Sequence, residues 1–254
     1  MTLINDTNFG LEVAKGDISG HDPLNKFGEN NDIDIGSSPE FIWDGPTGWT
    51  LPTTARVHDI SSDQAADASG GTGARTIRVV GLDSNYDELT EDVTMNGTSN
   101  VATVGSFVVI FRMFVLTSGS NGTNSGNISA VAQTDGTTTA YIASAKGQTQ
   151  MAIYMVPNGR TFYMTSFYSS IDKSSGGAAS VDVRIMNQTG QGTGTETLRV
   201  RHSETMQSTN HPSTERTFNP PKKFEEKTLV YIDMSTDTNN VEASAGFNGF
   251  IIDN

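Results

Sequence analysis

The chain has 254 residues, no cysteine, and a net charge of −13 with a pI near 4.6. The absence of cysteine excludes disulfides, thiolate nucleophiles and thiolate metal sites, and it suits folding in a reducing cytoplasm. The acidic charge argues against a nucleic-acid partner, because a phosphate-binding surface needs clustered Lys and Arg. No run of eighteen apolar residues and no basic-then-apolar leader occurs, so we expect no membrane partner.

The composition predicts an all-β fold. The chain holds 26 Gly and only 18% charged residues, whereas helices favour Ala, Leu, Glu and Lys. Short strands joined by tight turns suit such a composition. With 35% hydrophobic residues, the chain is long enough for one large β domain or two smaller ones.

Residues 1–38 predict an extended N-terminal arm. Their ten large apolar residues follow neither the helical nor the strand period. Burying ten such side chains contributes roughly 15–30 kcal/mol, whereas ordering nearly forty residues costs on the order of 40–80 kcal/mol of backbone entropy. We therefore expect the arm to order only against another chain, with Phe9, Leu11, Leu24 and Phe27 as candidate interface residues. The alternative is a floppy or self-docked terminus.

A turn-rich segment after the arm holds both tryptophans, Trp43 and Trp49. Exposed paired aromatics can stack on sugar rings or anchor an interface, so both are candidate interface residues. The alternative is that they cap the bottom of a core.

Residues 39–118 predict a β-rich N-terminal domain. The candidate strands are residues 56–61, 75–80, 89–95 and 107–116, with Asn96-Gly97 as a natural turn. The Ser/Gly/Asn-rich stretch from Ser118 to Gly126 marks the domain boundary.

Residues 126–254 predict a jelly-roll-like β-sandwich. Met151–Val156 and Thr161–Tyr168 flank Pro157-Asn158-Gly159, which predicts a hairpin. Further strands show period-2 alternation, as where Leu198 and Val200 alternate with Arg199 and Arg201. The nine candidate strands are residues 127–133, 138–144, 149–156, 161–171, 178–187, 195–203, 214–219, 228–234 and 241–252.

The sequence motifs predict no enzyme, no cofactor and no metal. The glycine-rich runs at residues 70–73 and 190–194 lack phosphate-loop spacing and are interpreted as strand connectors. The oxygen-rich stretches at residues 30–34 and 233–240 do not follow the EF-hand spacing. No metal-binding or nucleophile motif includes a histidine, so surface polar roles are expected for His21, His58, His202 and His211.

Three segments carry a resemblance to known proteins. They are residues 73–97, residues 147–161, which begin Gly-Gln-Thr-Gln-Met-Ala-Ile-Tyr, and residues 243–254, which end Phe-Ile-Ile-Asp-Asn. These segments resemble virion structural proteins of tailed bacteriophages, especially marine podovirus-like phages. The resemblance spans roughly residues 39–254 and carries no catalytic motif.

That resemblance implies a capsid cement or decoration protein on the exterior of the virion. The implied partners are the major capsid protein and further copies of this chain, as a homotrimer. An acidic protein that bridges capsid joints from outside would strengthen them without binding the genome. The alternative is a tail or vertex protein that recognises a host surface glycan, with Trp43 and Trp49 stacking on the sugar.

Overall fold

The computed structural model describes residues 9–36, 38–51, 53–173, 177–191 and 193–254. Apart from the six-residue helix α1 (Phe9–Ala14), the regular elements of these residues are strands, so the predicted all-β fold is confirmed. No helix in the described ranges is long and apolar enough to cross a membrane. The strands are β1 (His21–Ile33), β2 (Glu40–Phe41), β3 (His58–Ser62), β4 (Ala74–Leu82), β5 (Glu88–Thr94), β6 (Val101–Ala102), β7 (Val109–Ser118), β8 (Ile128–Ala132), β9 (Thr138–Ile142), β10 (Ile153–Met155), β11 (Arg160–Asp172), β12 (Ser180–Thr189), β13 (Thr197–Gln207), β14 (Ser213–Phe224), β15 (Leu229–Thr236) and β16 (Val241–Asp253).

Two antiparallel sheets pack face to face as a β-sandwich. The first has the order β1-β16-β11-β14, and the second has the order β10-β15-β12-β13, with β2 also paired to β15. The pairing is nested, since β1 joins β16, β10 joins β15, β11 joins β14 and β12 joins β13. Inward side chains of both sheets, such as Phe162, Phe247 and Ile185, belong to one buried cluster.

The chain between Asp44 and Gln150 forms a second β module, called the insert below. Its sheets have the orders β6-β3-β8-β9 and β5-β4-β7, and they enclose a separate buried cluster that includes Ile60, Ile77 and Phe107. The Asp44 amide donates to the Gln150 carbonyl at 3.1 Å, so the two ends of the insert lie side by side at the sandwich.

The structure corrects the prediction for the N-terminal arm. Residues 21–33 form β1, which pairs with β16 through eleven residue pairs. Residues 9–14 form α1, while residues 1–8 lie outside the described residues. The ladder hydrogen bonds that β1 makes with β16, together with the packing of Leu24 on the sandwich core, offset the entropy lost on ordering this segment. The prediction that the arm orders only against another chain is therefore wrong for residues 21–33.

The module boundaries also differ from the predicted boundaries at residues 38, 118 and 126. The sandwich takes its first strand from the N-terminal region, and the insert interrupts it. Strands β8 and β9 were expected in the sandwich, but β8 pairs with β3 of the insert. Sequence neighbours thus fall into different modules because the insert is nested within the sandwich.

The predicted hairpin around residues 157–159 is wrong. Strand β10 pairs with β15, and β11 pairs with β14 and β16 in the other sheet. The turn chemistry itself is present, since Gly159 has a φ of 71°. The turn carries the chain from one sheet to the other.

Candidate interaction surface

The open side of the sandwich concentrates positive charge on β13 and β14, residues 197–224, called the basic edge below. It carries five cationic and two anionic side chains, a net charge of +3, which leaves −16 for the rest of the chain. Each of the two strands ends the order of its sheet. The five cationic residues are Arg199, Arg201, Arg216, Lys222 and Lys223.

Strand β13 exposes apolar side chains beside its arginines. Leu198 is 55% exposed and Val200 is 52% exposed. Within the described residues, the segment 197–206 pairs with β12 alone. A long edge strand with unpaired backbone groups and exposed apolar side chains is a template for pairing with another chain.

Aromatic rings support the cations of the basic edge. The Arg201 guanidinium lies 4.6 Å from the ring centroid of Phe224, and the Lys222 ammonium lies 4.5 Å from that of Phe218. Burial, followed by the charge of Arg201, lowers the pKa of Lys222. Burial also lowers the pKa of Arg201. Cation–π contacts of this kind hold the charged groups at defined positions.

Glu204 ties β13 to β14. Its carboxylate accepts hydrogen bonds from Thr214 at 2.6 Å, from His202 at 2.9 Å and from Arg216. Burial alone would raise the pKa of Glu204, but these hydrogen bonds together lower it to about 2. The carboxylate is therefore ionised over the whole neutral range and holds the two edge strands together.

A second open edge, on the insert, is acidic. Residues 83–92 carry five carboxylates and no Lys or Arg. Strand β5 ends its sheet and pairs with β4 alone among the described strands. Glu88, Thr90 and Asp92 alternate on its exposed face, and Asp92 pairs with Arg78 at 2.7 Å.

The four arm residues predicted as an interface contact this chain to different degrees. The Phe9 ring lies edge-on, 5.0 Å from the ring centroid of Phe250. Leu24 packs against the sandwich core. Phe27 is half-buried on the outer face of β1, and Leu11 is 59% exposed.

Both tryptophans are buried, so they offer neither an exposed interface nor a platform for a sugar, and the alternative that they pack against a core agrees with the structure. Trp43 is 4% exposed and Trp49 is 3% exposed. Trp43 packs in the sandwich core under Gly45, and Trp49 Nε1 donates to the Thr139 carbonyl at 3.0 Å. A cleft of about 470 Å³ lies beside them, and both tryptophans are among its lining residues.

The oxygen-rich stretches at residues 30–34 and 233–240 lie next to each other. Their side-chain oxygens accept hydrogen bonds from backbone amides of this region. Asp34 Oδ1 accepts from the Asn240 amide at 3.0 Å, and Asn239 Oδ1 accepts from the Ile35 amide at 2.9 Å. No group of three His, Cys, Asp or Glu that could hold a metal occurs among the described residues. Against expectation, His58 is fully buried, and burial lowers its pKa to about 4.

Asp67 is a buried carboxylate at the centre of the insert. It accepts hydrogen bonds from Ser62 Oγ at 2.6 Å and from three amides, those of Ala74 at 2.7 Å and of Ser125 and Gly126 at 2.8 Å. These bonds join the loop before β4 to the loop before β8. The glycine-rich run at residues 70–73 connects β3 to β4, as predicted, and leaves room for this carboxylate.

Lys26 is buried where the insert meets the sandwich. It is 2% exposed, and its Nζ donates to the carbonyl of Phe111. Phe111 lies at a β-bulge of β7, between the residues that pair with Val80 and Gly81, so its carbonyl has no partner residue on β4. Burial, followed by the nearby charge of Arg112, lowers the pKa of Lys26 well below its usual value.

Asp44 begins the insert and buries its carboxylate, although the residue as a whole is half-buried. Among the described residues, neither carboxylate oxygen is open to solvent or has a hydrogen-bond partner of good geometry. Burial, followed by the charge of Glu29, raises the pKa of Asp44 to about 7. Glu29 itself pairs with Lys146 at 2.6 Å.

Comparison with known proteins leaves the family open. No family model and no curated protein match this chain. A chain in the structure of infectious bursal disease virus Gt strain is 12% identical, covers 92% of this chain over 73% of its own length, and has a TM-score of 0.20. A chain in the structure of the Gx strain is 9% identical over the same shares, with a TM-score of 0.21. At such TM-scores the likeness carries no argument about fold or function.

Proposed function

We propose that this protein is a structural component of a tailed-bacteriophage virion, a cement or decoration protein on the capsid exterior. Its partners are the major capsid protein and further copies of itself, as a homotrimer. The observation that carries the proposal is the basic edge, an open sheet edge with exposed Leu198 and Val200 on an acidic two-module body. Such an edge is suited to association with another chain. The sequence resemblance to phage virion proteins indicates that this association takes place on a virion.

The acidity of the rest of the chain fits this role. The net charge outside the basic edge is −16. Packaged DNA repels this part of the protein, which favours a position on the outer side of the shell. The role is structural rather than enzymatic, since it needs only rigid surfaces and no bond is made or broken.

The test is to add the purified full chain to capsids assembled without it. We expect saturable binding to the outer shell, with many copies per particle, and a higher temperature of DNA release. The variant Leu198→Asp/Val200→Asp should bind more weakly, whereas Val104→Asp, at a position that is 92% exposed on the insert, should bind like the wild type. Absence of shell binding would overturn the proposal, and binding only at the tail or vertices would favour glycan recognition.

A further inference from the structure

We propose that the occupant of the basic edge is a second copy of this chain, which adds its strand β5 alongside β13. The inference rests on the proposed function, because it names the partner of the same association surface. The contact is a β-augmentation, in which main-chain hydrogen bonds of two open edges join sheets of different molecules.

Strand β13 is long enough to take β5 alongside it. Strand β5 has seven residues, and ten residues of β13, 197–206, lie at the open edge. Each strand pairs with one neighbour only within the described parts of the chain, so each has one free row of backbone donors and acceptors. Pairing them satisfies both rows at once.

The two edges also match in charge. Strand β5 follows Asp83 and Asp87 and exposes Glu88, while β13 presents Arg199 and Arg201. Opposite charges across neighbouring strands stabilise the pair, and like charges directly opposite destabilise it. Two copies of β13 would bring arginines together, and two copies of β5 would bring carboxylates together. The mixed pair is therefore the favoured one.

The contact is head-to-tail, because β5 and β13 belong to different modules of one chain. A head-to-tail contact closes into a ring when its rotation allows, and otherwise grows open chains. Closure into a small ring agrees with the proposed homotrimer. Since the edges carry the contact, Leu198 and Val200 become covered only in the assembly.

The test uses the purified full chain without capsids, followed by sedimentation and native mass spectrometry. We expect self-association in the micromolar range that weakens as the salt concentration rises from about 0.05 M to about 0.5 M. Arg199→Glu/Arg201→Glu should weaken association by about tenfold or more, and so should Glu88→Lys/Thr90→Lys. Combining all four substitutions in one chain restores complementary edges, and association should recover to within a few-fold of the wild type.

The controls separate this inference from the proposed function. Lys15→Glu, a charge reversal at an exposed position just after α1, should leave self-association unchanged. Hydrogen exchange should show that association protects amides in both residues 88–94 and residues 197–203. Equal association of the single-edge variants and the wild type, or no recovery in the four-fold variant, would overturn the inference. If capsid binding persists in that case, the proposed function stands, and if association holds while capsids stay bare, the proposed function fails alone.

Discussion

The insert and its joint with the sandwich both bury ionisable side chains, but only the insert surrounds its group with partners. Asp67 in the insert has four hydrogen-bond donors. At the joint, Asp44 has none of good geometry, and Lys26 has a single carbonyl and no carboxylate. A buried charge stabilises a fold when donors or counter-ions replace the lost water, and it costs stability otherwise. The two regions should therefore respond in opposite ways to removal of the charge.

The largest effect is expected for Asp67→Ala. The substitution leaves three buried amides and one hydroxyl without their acceptor, so we expect the free energy of unfolding to fall by roughly 3–5 kcal/mol. Denaturant unfolding measures this change. The matched control is Asp63→Ala, because exposed Asp63 accepts two bonds from Asn127 in the same region. That control should lose about 1 kcal/mol or less, and an equal loss at both positions would contradict the role given to Asp67.

Above neutral pH, Asp44→Asn should raise the free energy of unfolding, whereas Asp67→Ala lowers it. The pKa of Asp44 is raised to about 7, so the folded state keeps a proton that the unfolded state releases near pH 4. Stability from this group is therefore greatest at low pH, falls as the pH rises from about 4 to about 7, and stays low above that. The amide keeps the shape and removes the titration, which should stabilise the protein by roughly 2–4 kcal/mol at about pH 8.

Unfolding curves at about pH 5 and about pH 8 provide the measurement. The control is Asp92→Asn, because the hydrogen bond from Arg78 lowers the pKa of Asp92, and its titration lies below this range. The wild type and the control should both be less stable at the higher pH than at the lower one because of Asp44. Asp44→Asn should not show this loss of stability. If the wild type is equally stable at both pH values, the pKa of Asp44 is not raised in the folded state.

The third effect, expected for Lys26→Met, is a change in how stability depends on pH. Burial lowers the pKa of Lys26, so between this lowered pKa and about pH 10.5 the unfolded state binds a proton that the folded state lacks. Wild-type stability from this group therefore rises with pH up to that value, by about 1.4 kcal/mol per unit at most. The methionine variant should lack this rise between about pH 7 and about pH 9.5.

The control for Lys26→Met is the same substitution at Lys15. Hydrogen bonds from Lys15 to Asp17 and Glu12 raise the pKa of that exposed lysine, so it changes charge above the measured window. Lys15→Met should follow the wild type at every pH in the window. A parallel pH profile for wild type and Lys26→Met would show that Lys26 is solvated in the folded protein.

Strand positions were predictable from the sequence over most of the chain. The candidate strands from residue 127 onward coincide with β8 to β16. Side chains alternate between core and solvent in β8, whereas β10 and most of β15 are buried on both faces. Strand β1 was missed because its inward positions hold Lys26 and Gly28 beside Leu24, so no apolar period marks it. Its fit depends on Phe111 and on the close approach of Met151 to Gly28, which are contacts that local sequence does not contain.

The sequence predicted that β13 is a strand, but it did not predict that this strand lies at the edge of its sheet. The alternation of Leu198 and Val200 with two arginines predicted a strand, but it did not show that the leucine and valine would be exposed. In the structure His202 and Glu204 are the less exposed side chains and Leu198 faces solvent, because β13 ends its sheet. Which strand lies at an edge follows from the nested pairing, and pairing is a property of the whole chain.

The antiparallel register of β1 and β16 fixes how this sandwich bears mechanical load. His21 lies opposite Ile252, at the same end of the pair. A pull that separates these two residues opens the ladder one hydrogen bond at a time, like a zipper. A pull between Ile33 and Ile252, at opposite ends, loads the whole ladder in shear and meets much greater resistance. Forces that reach this protein through the backbone before β1 and after β16 would therefore peel its first strand away, whereas forces that reach it through its sheet edges would not.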